Sequence, residues 1–114
     1  MKTQILGNAA EQQAQIYLQK KGLTLIKKNY TCRVGEIDLI MEDDNCLIFI
    51  EVRLRTNPLY GTGADTVTIA KQKKIIKTAQ LFLLSYDIGN RDCRFDVISI
   101  DKDIDWIQHA FTLN

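Results

Sequence analysis

Between Gly35 and Arg53 the chain reads GEIDLIMEDDNCLIFIEVR, two apolar runs of strand length that carry carboxylates where a buried strand should carry none. Asp43, Asp44 and Asn45 supply a turn between the runs, which therefore fold as a hairpin. A period of two puts Glu36, Asp38 and Ile40 on one face of the first strand, and Leu47, Phe49, Glu51 and Arg53 on one face of the second. Ile37, Leu39, Ile48, Ile50 and Val52 then line the opposite face. With Asp44-Asn45 as the tight centre, Asp38 stands opposite Glu51 and Glu36 opposite Arg53. Directly opposed residues have Cβ atoms roughly 5 Å apart, and like charges there repel. A positive group belongs between Asp38 and Glu51, and a divalent cation, Mg²⁺ or Mn²⁺, is the candidate. The competing reading is a solvated sheet face whose acids keep an edge soluble. Against it, Ile40, Leu47 and Phe49 accompany the carboxylates, so the hairpin is apolar on both sides and turns polar only at the end holding Asp38 and Glu51.

A chain of 114 residues is expected to form a single domain spanning 1–114. Its composition, 46% hydrophobic and 25% charged, is that of a soluble globular protein, without an apolar run that would span a bilayer or a secretory pattern at the N-terminus. The expected location is cytoplasmic, with no membrane partner. Cys32, Cys46 and Cys93 are odd in number and contain no CxxC pair, which fits reduced thiols better than disulfides or zinc ligands. His109 is the sole histidine, so a histidine-based zinc site or a Ser-His-Asp triad would have to rest on it alone. Net charge is only +1, but up to Arg91 there are 13 Lys and Arg against 9 Asp and Glu, a mild excess compatible with phosphate contacts.

In chain order, Gly7, Ala10, Glu11, Ala14 and Leu18 share one stripe of a helix over about 3–21, which Gly22 stops. Glu11 lies among small residues that should face the core, where a carboxylate is costly unless paired or metal-bound. It either joins the pocket of Asp38 and Glu51 or reaches solvent from the edge of the stripe. Leu23 to Tyr30 alternates as a first strand, from which Lys27, Lys28 and the following Arg33 reach solvent. Leu54 to Asp65, with Pro58, Gly61 and Gly63, is an aperiodic loop leaving the strand end that carries Glu51 and Arg53. Asp65 or Thr66 caps a second helix to about Ser85, its buried side formed by Ile69, Ile76, Ala79 and Phe82 to Leu84. Lys71, Lys73, Lys74 and Lys77 crowd its first half without acidic partners at i±4. They are either a solvated face or, with Arg33 and Arg55, a phosphate-contacting surface. Arg94 to Ile100 is a strand, and Ile104 to Thr112 a further strand or an irregular tail anchored by Trp106 and Phe111. The order helix, strand, hairpin, helix, strand, strand predicts an α/β (α+β) domain: a mixed sheet flanked by helices, with a parallel crossover through the second helix.

Asp38, twelve residues, then Glu51-Val52-Arg53 resembles the D...E-x-K core of the restriction-endonuclease-like nucleases. More specifically, Gly7 with Ala10-Glu11, Asn29, GEIDLI, FIEVRLR, Gly61, Lys71-Gln72 and RFDVI resemble the YraN-like bacterial proteins, relatives of the archaeal Holliday-junction resolvases, over about 6–111. The resemblance implies a nuclease-like fold, a nucleic-acid partner (DNA first), Mg²⁺ or Mn²⁺ at Asp38 and Glu51, and a homodimer. It makes Glu11, Asp38 and Glu51 the acidic set and position 53 the place of the catalytic lysine. Here that position is arginine. Its guanidinium grips phosphate oxygens but does not give up a proton, so a general-base role is lost there. A metal-bound hydroxide, or Lys71 reaching in from the second helix, would have to replace it. Two expectations follow: a metal-dependent endonuclease acting on structured DNA, or a catalytically inactive nuclease-fold module that binds DNA or RNA.

Overall fold

A computed structural model describes residues 2–55 and 67–112, with side chains from residue 8 onward. Its elements in chain order are α1 (Lys2–Lys20), β1 (Thr24–Cys32), β2 (Gly35–Glu42), β3 (Cys46–Leu54), α2 (Ile69–Leu83), β4 (Asp92–Ile100) and β5 (Ile104–Phe111). Each boundary has a local cause. α1 stops because Gly22 takes φ 100°, which lets its N–H reach the Gln19 carbonyl and the Leu23 N–H reach that of Leu18, the two return bonds of a glycine-terminated helix. α2 starts at Ile69 because the Thr68 hydroxyl accepts the Lys71 N–H at 3.2 Å. The expected caps Asp65 and Thr66, and the loop residues Pro58, Gly61 and Gly63, lie outside the described residues.

The five strands lie in sequence order in one sheet, antiparallel except where β3 runs parallel to β4. That junction is the crossover through α2, and the fold is the α+β mixed sheet flanked by helices that the element order predicts. α1 covers one face, where Ala10, Ala14 and Leu18 pack with Leu39, Ile48, Ile50 and Ile98. On the other face α2 packs Ile75, Ala79 and Phe82 with Ile40, Leu47, Phe49, Phe95 and Val97. Ile69 and Leu84, expected on that buried side, are instead 67% and 82% exposed. The buried stripe of α2 runs through Ile75, Thr78, Ala79 and Phe82 at spacings of three and four. Ile69 and Leu84 fall six before and two after it, on the far side of a helix with 3.6 residues per turn. Ile104 to Phe111 is a strand and not an irregular tail, with Trp106 and Phe111 packed as anchors. Among the described residues no helix is long and apolar enough to cross a membrane.

Asp96 in the middle of β4 is fully buried yet fully engaged. Its carboxylate accepts from Arg94 Nε at 3.0 and 3.1 Å, Trp106 Nε1 at 2.9 Å and the His109 backbone N–H at 3.1 Å. The last contact spans an irregularity in the β4–β5 register, where His109 adopts φ 52°. Asp96 thus fastens the last strand to the sheet, with Arg94 as its counter-charge.

Gly35, where β2 begins, lies against α2 so closely that an added Cβ would come within 2.9 Å of Thr78 Oγ1. That hydroxyl is buried and donates to the Lys74 carbonyl at 2.7 Å, so it cannot retreat freely. Gly35→Ala should therefore destabilise the protein by about 1–3 kcal/mol in chemical denaturation, the usual cost of overpacking. The same change in a Thr78→Ala background should cost markedly less. Equal penalties in the two backgrounds would mean that the contact does not limit the packing.

Candidate functional site

The hairpin register is the one expected from the turn: Leu39 pairs with Ile50, Ile40 with Phe49, Met41 with Ile48 and Glu42 with Leu47. The ladder then stops one pair before Asp38 and Glu51. Beyond that point β2 stays paired to β1, where Glu36 faces Thr31, and β3 stays paired to β4, where Arg53 faces Ser99. Glu36 is therefore not opposite Arg53 as expected, because the two strands have parted. The gap leaves the Val52 N–H without a strand partner, and Asp38 Oδ2 accepts it at 2.8 Å. A side chain that takes over a ladder bond must lie close to the plane of the sheet. The alternation of β2 breaks at the same residue: Ile37 packs on the α2 side and Leu39 on the α1 side, although a regular strand would put both on one face, as expected from the sequence. Across the β1–β2 ladder, Asn29 sits between the pairs Lys28–Leu39 and Tyr30–Ile37 with φ 53°, a left-handed conformation that asparagine tolerates better than most residues. The distortion that aims Asp38 into the gap is thus shared by two strands.

Glu51 is 6% exposed and points to the α2 side, where Lys71 Nζ stands 3.0 Å from its Oε2. That oxygen has no aligned hydrogen bond among the described residues, so the contact is an ion pair that leaves its lone pairs available. Lys71 therefore does not belong to a free basic surface; its charge is directed into the acid pocket. Asp38 and Glu51 are close enough to hydrogen-bond to each other, which two carboxylates can do only by sharing a proton. Burial, that contact and the negative charges of Glu51 and Glu11 push Asp38 up to about 9, against the opposing bond from Val52. On α1, burial and the charges of Glu36 and Glu51 raise Glu11 as well, while Asn29 and Lys28 oppose the shift. Glu11 Oε1 is buried with no hydrogen-bond partner among the described residues.

A hard divalent cation fits the Asp38–Glu51 pair in kind: two adjacent carboxylates, with oxygens of Glu51 and Glu11 that lack a hydrogen bond among the described residues. Glu11 stands further off, since among the described residues no three acidic, histidine or cysteine side chains gather closely enough to share one ion. Of the remaining candidates, Arg53 lies two residues beyond Glu51, partly exposed. Arg33 is exposed in the β1–β2 turn, whose next residue but one, Gly35, lies against exposed Lys74. Arg55 is half-buried, its N–H bonded to the Ile100 carbonyl at 2.7 Å. The structure thus brings Asp38, Glu51 and Lys71 together, with Glu11 near enough to feel the charge of Glu51, and leaves Arg33 and Lys74 exposed.

The model of the family described as "Uncharacterised protein family UPF0102" matches residues 10–100. The chain belongs to this family. A UPF0102 protein of Nitrosomonas eutropha is 50% identical over 107 residues, 92% of this chain and 91% of its own length. Another, from Legionella pneumophila (strain Corby), is 47% identical over 113 residues and 96% of each chain. A third, from Janthinobacterium sp. (strain Marseille), is 45% identical over 108 residues, covering 94% and 87%. The segment that matches the UPF0102 model contains Glu11, GEIDLI, FIEVR and RFDVI, the stretches that carry the likeness to the YraN-like proteins.

The raised value of Asp38 gives the site a signature in pH. Its folded value lies above the roughly 3.9 of an unfolded chain, so the stability it contributes is complete below that value and is lost as pH rises toward about 9. The melting temperature of metal-free protein should fall from pH 5 to pH 9 more steeply than that of Asp38→Asn, which lacks that carboxyl. Mg²⁺ or Mn²⁺ should raise it more at high pH than at low pH, by replacing the shared proton, and should have little effect on Asp38→Asn. Parallel pH profiles for the two proteins would contradict the shared proton.

Proposed function

We propose that this UPF0102 protein binds nucleic acid and hydrolyses phosphodiester bonds in structured DNA with the help of Mg²⁺ or Mn²⁺. The observation that carries this reading is the 3.0 Å ion pair of Lys71 with Glu51, beside an Asp38 within hydrogen-bonding reach of the same carboxylate. The D...E-x-K pattern needs a lysine next to its acidic pair, position 53 does not provide one, and α2 brings Lys71 to the required neighbour. Asp38 and Glu51 would hold the cation, which when bound supplies charge neutralisation at the phosphate and an acidified water. Lys71 is a compact ammonium whose proton can be withdrawn more readily than that of a guanidinium, so it suits the task of orienting a water or donating to a phosphate oxygen. Arg53 adds a fixed positive charge for developing negative charge on that phosphate. Glu11 supports the set from the α1 side. Arg33 and Lys74, both exposed, suit contacts to flanking phosphates. Binding without cleavage is the second reading, favoured by Arg53 at the usual lysine position and by the distance of Glu11 from the acid pair.

Incubation of the purified protein with branched, single-stranded and duplex DNA in Mn²⁺ separates the readings. Cleavage is expected with branched DNA and absent in Asp38→Asn. Lys71→Ala should lower the rate by roughly 10²–10³-fold, the usual cost of removing one positioned donor, and Arg53→Ala should abolish what the wild type does, while Arg53→Lys keeps or raises it. Activity untouched by Lys71→Ala would remove that lysine from the mechanism. Affinity should fall steeply with salt, and the slope of log K against log salt should flatten by about 0.9 for each phosphate that Arg33→Ala or Lys74→Ala leaves without its cation. Tight, salt-dependent binding with no cleavage of any substrate would establish the second reading.

A further inference from the structure

On the α1 side of the sheet a polar cavity of about 370 Å³ opens between α1 and β1, with Leu39 at its base. Gln12 and Gln15 line it from the helix, Lys28 and Asn29 from the strand, and Glu11 forms the wall nearest the acid pair. It adjoins the site directly: Leu39 follows Asp38 in sequence, and Glu11 feels the charge of Glu51. We propose that this cavity receives one unpaired nucleobase of a bound strand, beside the phosphate held at Asp38 and Glu51. The inference rests on the nucleic-acid reading above and specifies its substrate.

Each part of the cavity matches a part of a nucleotide. Carboxamides offer a donor and an acceptor side by side in one plane, the arrangement that reads the edge of a base, and four of them, Asn8, Gln12, Gln15 and Asn29, line the cavity. Glu11 Oε1 is a buried acceptor without a donor among the described residues, a costly state that an amino or imino N–H of a base relieves. Lys28 is exposed at the rim and suits the adjoining phosphate. The volume is at the small end of ligand sites, which run from roughly 300 to 1,000 Å³; it suits one nucleoside and not a base pair. A base can enter only unpaired, so loops, branches and single strands are preferred to duplex, because no pairing has to be broken.

The test uses the full chain in two measurements. In ¹⁵N-labelled protein, the four deoxynucleoside 5′-monophosphates are titrated while the side-chain amides of Gln12, Gln15 and Asn29 are followed. In parallel, anisotropy compares a short single strand with the same strand carrying abasic positions. At least one nucleotide should shift all three amides. The abasic strand should bind about tenfold more weakly or worse, as should the intact strand to Gln12→Leu, whose exposed position spares the fold, and to Glu11→Gln. A melting curve for each variant verifies folding. If the amides do not move and the abasic strand binds as tightly as the intact one, the base pocket is overturned, while salt-dependent binding of that abasic strand keeps the nucleic-acid reading. If the nucleotides shift the amides but no strand binds, the pocket stands and the reading of a strand-binding protein falls.

Discussion

The parting of β2 from β3 at Leu39–Ile50 is the constraint on which the rest of the site depends. Two central strands cannot separate without leaving ladder groups unpaired, and a buried N–H left alone costs about 1–3 kcal/mol. Here the Asp38 carboxylate takes the Val52 N–H. That one contact closes the sheet chemically while leaving it open sterically, and it fixes Asp38 in the gap where Glu51 also arrives. The apolar strands around them bury Glu51 and half-bury Asp38, and that loss of solvent is the main cause that raises Asp38. Were the ladder to continue for one more pair, backbone would fill the space that the carboxylates occupy.

Two kinds of buried acid in this chain show why satisfaction, more than burial, marks a site. Asp96 has no exposure at all, but three separate groups donate to it and a guanidinium balances its charge. It has little capacity left for a ligand and acts as a fastening between β4 and β5. Asp38, Glu51 and Glu11 are under-supplied: one backbone donor to Asp38, one ammonium beside Glu51, and oxygens of Glu51 and Glu11 without a hydrogen bond among the described residues. Such a set is stable only in a fold rigid enough to hold it, and the sheet ladders and packed helices on both sides provide that rigidity.

The site also draws on both layers of the protein. Glu51 and Lys71 belong to the α2 side, Glu11 to the α1 side, and Asp38 to the gap between them. A ligand there would contact two layers that otherwise communicate only through the sheet. Because α2 supplies the lysine, the distance between cation and acid depends on how the helix seats on β2, which the close approach of Gly35 to Thr78 sets. The glycine of GEIDLI and its aspartate thus serve one geometry, one by admitting the helix and the other by meeting the lysine's partner.

Local rules in the sequence were enough for the order of elements, the hairpin register from Leu39–Ile50 to Glu42–Leu47, and the nearness of Asp38 to Glu51. The turn at Asp43 to Asn45 fixes the register, and a period of two fixes the faces. They were also enough to single out Glu11 as a carboxylate in the wrong company. The same rules placed Ile37 beside Leu39, Glu36 opposite Arg53, and Ile69 and Leu84 in the core. The strand readings failed where the regular strand stops being regular, which period counting cannot register, whereas Ile69 and Leu84 lie off the stripe that a 3.6 period draws through Ile75, Ala79 and Phe82. Asp96 was visible only as part of RFDVI, since two of its three donors, Trp106 and the His109 N–H, come from another strand. Lys71 was legible as a lysine without helical partners, but its pairing with Glu51 spans twenty residues and depends on how α2 packs against the sheet. What the sequence determined was therefore what neighbours along the chain can decide. Which charges meet across the gap was decided by tertiary packing, because the energy of such a meeting depends on burial and distance, and neither exists until the layers close.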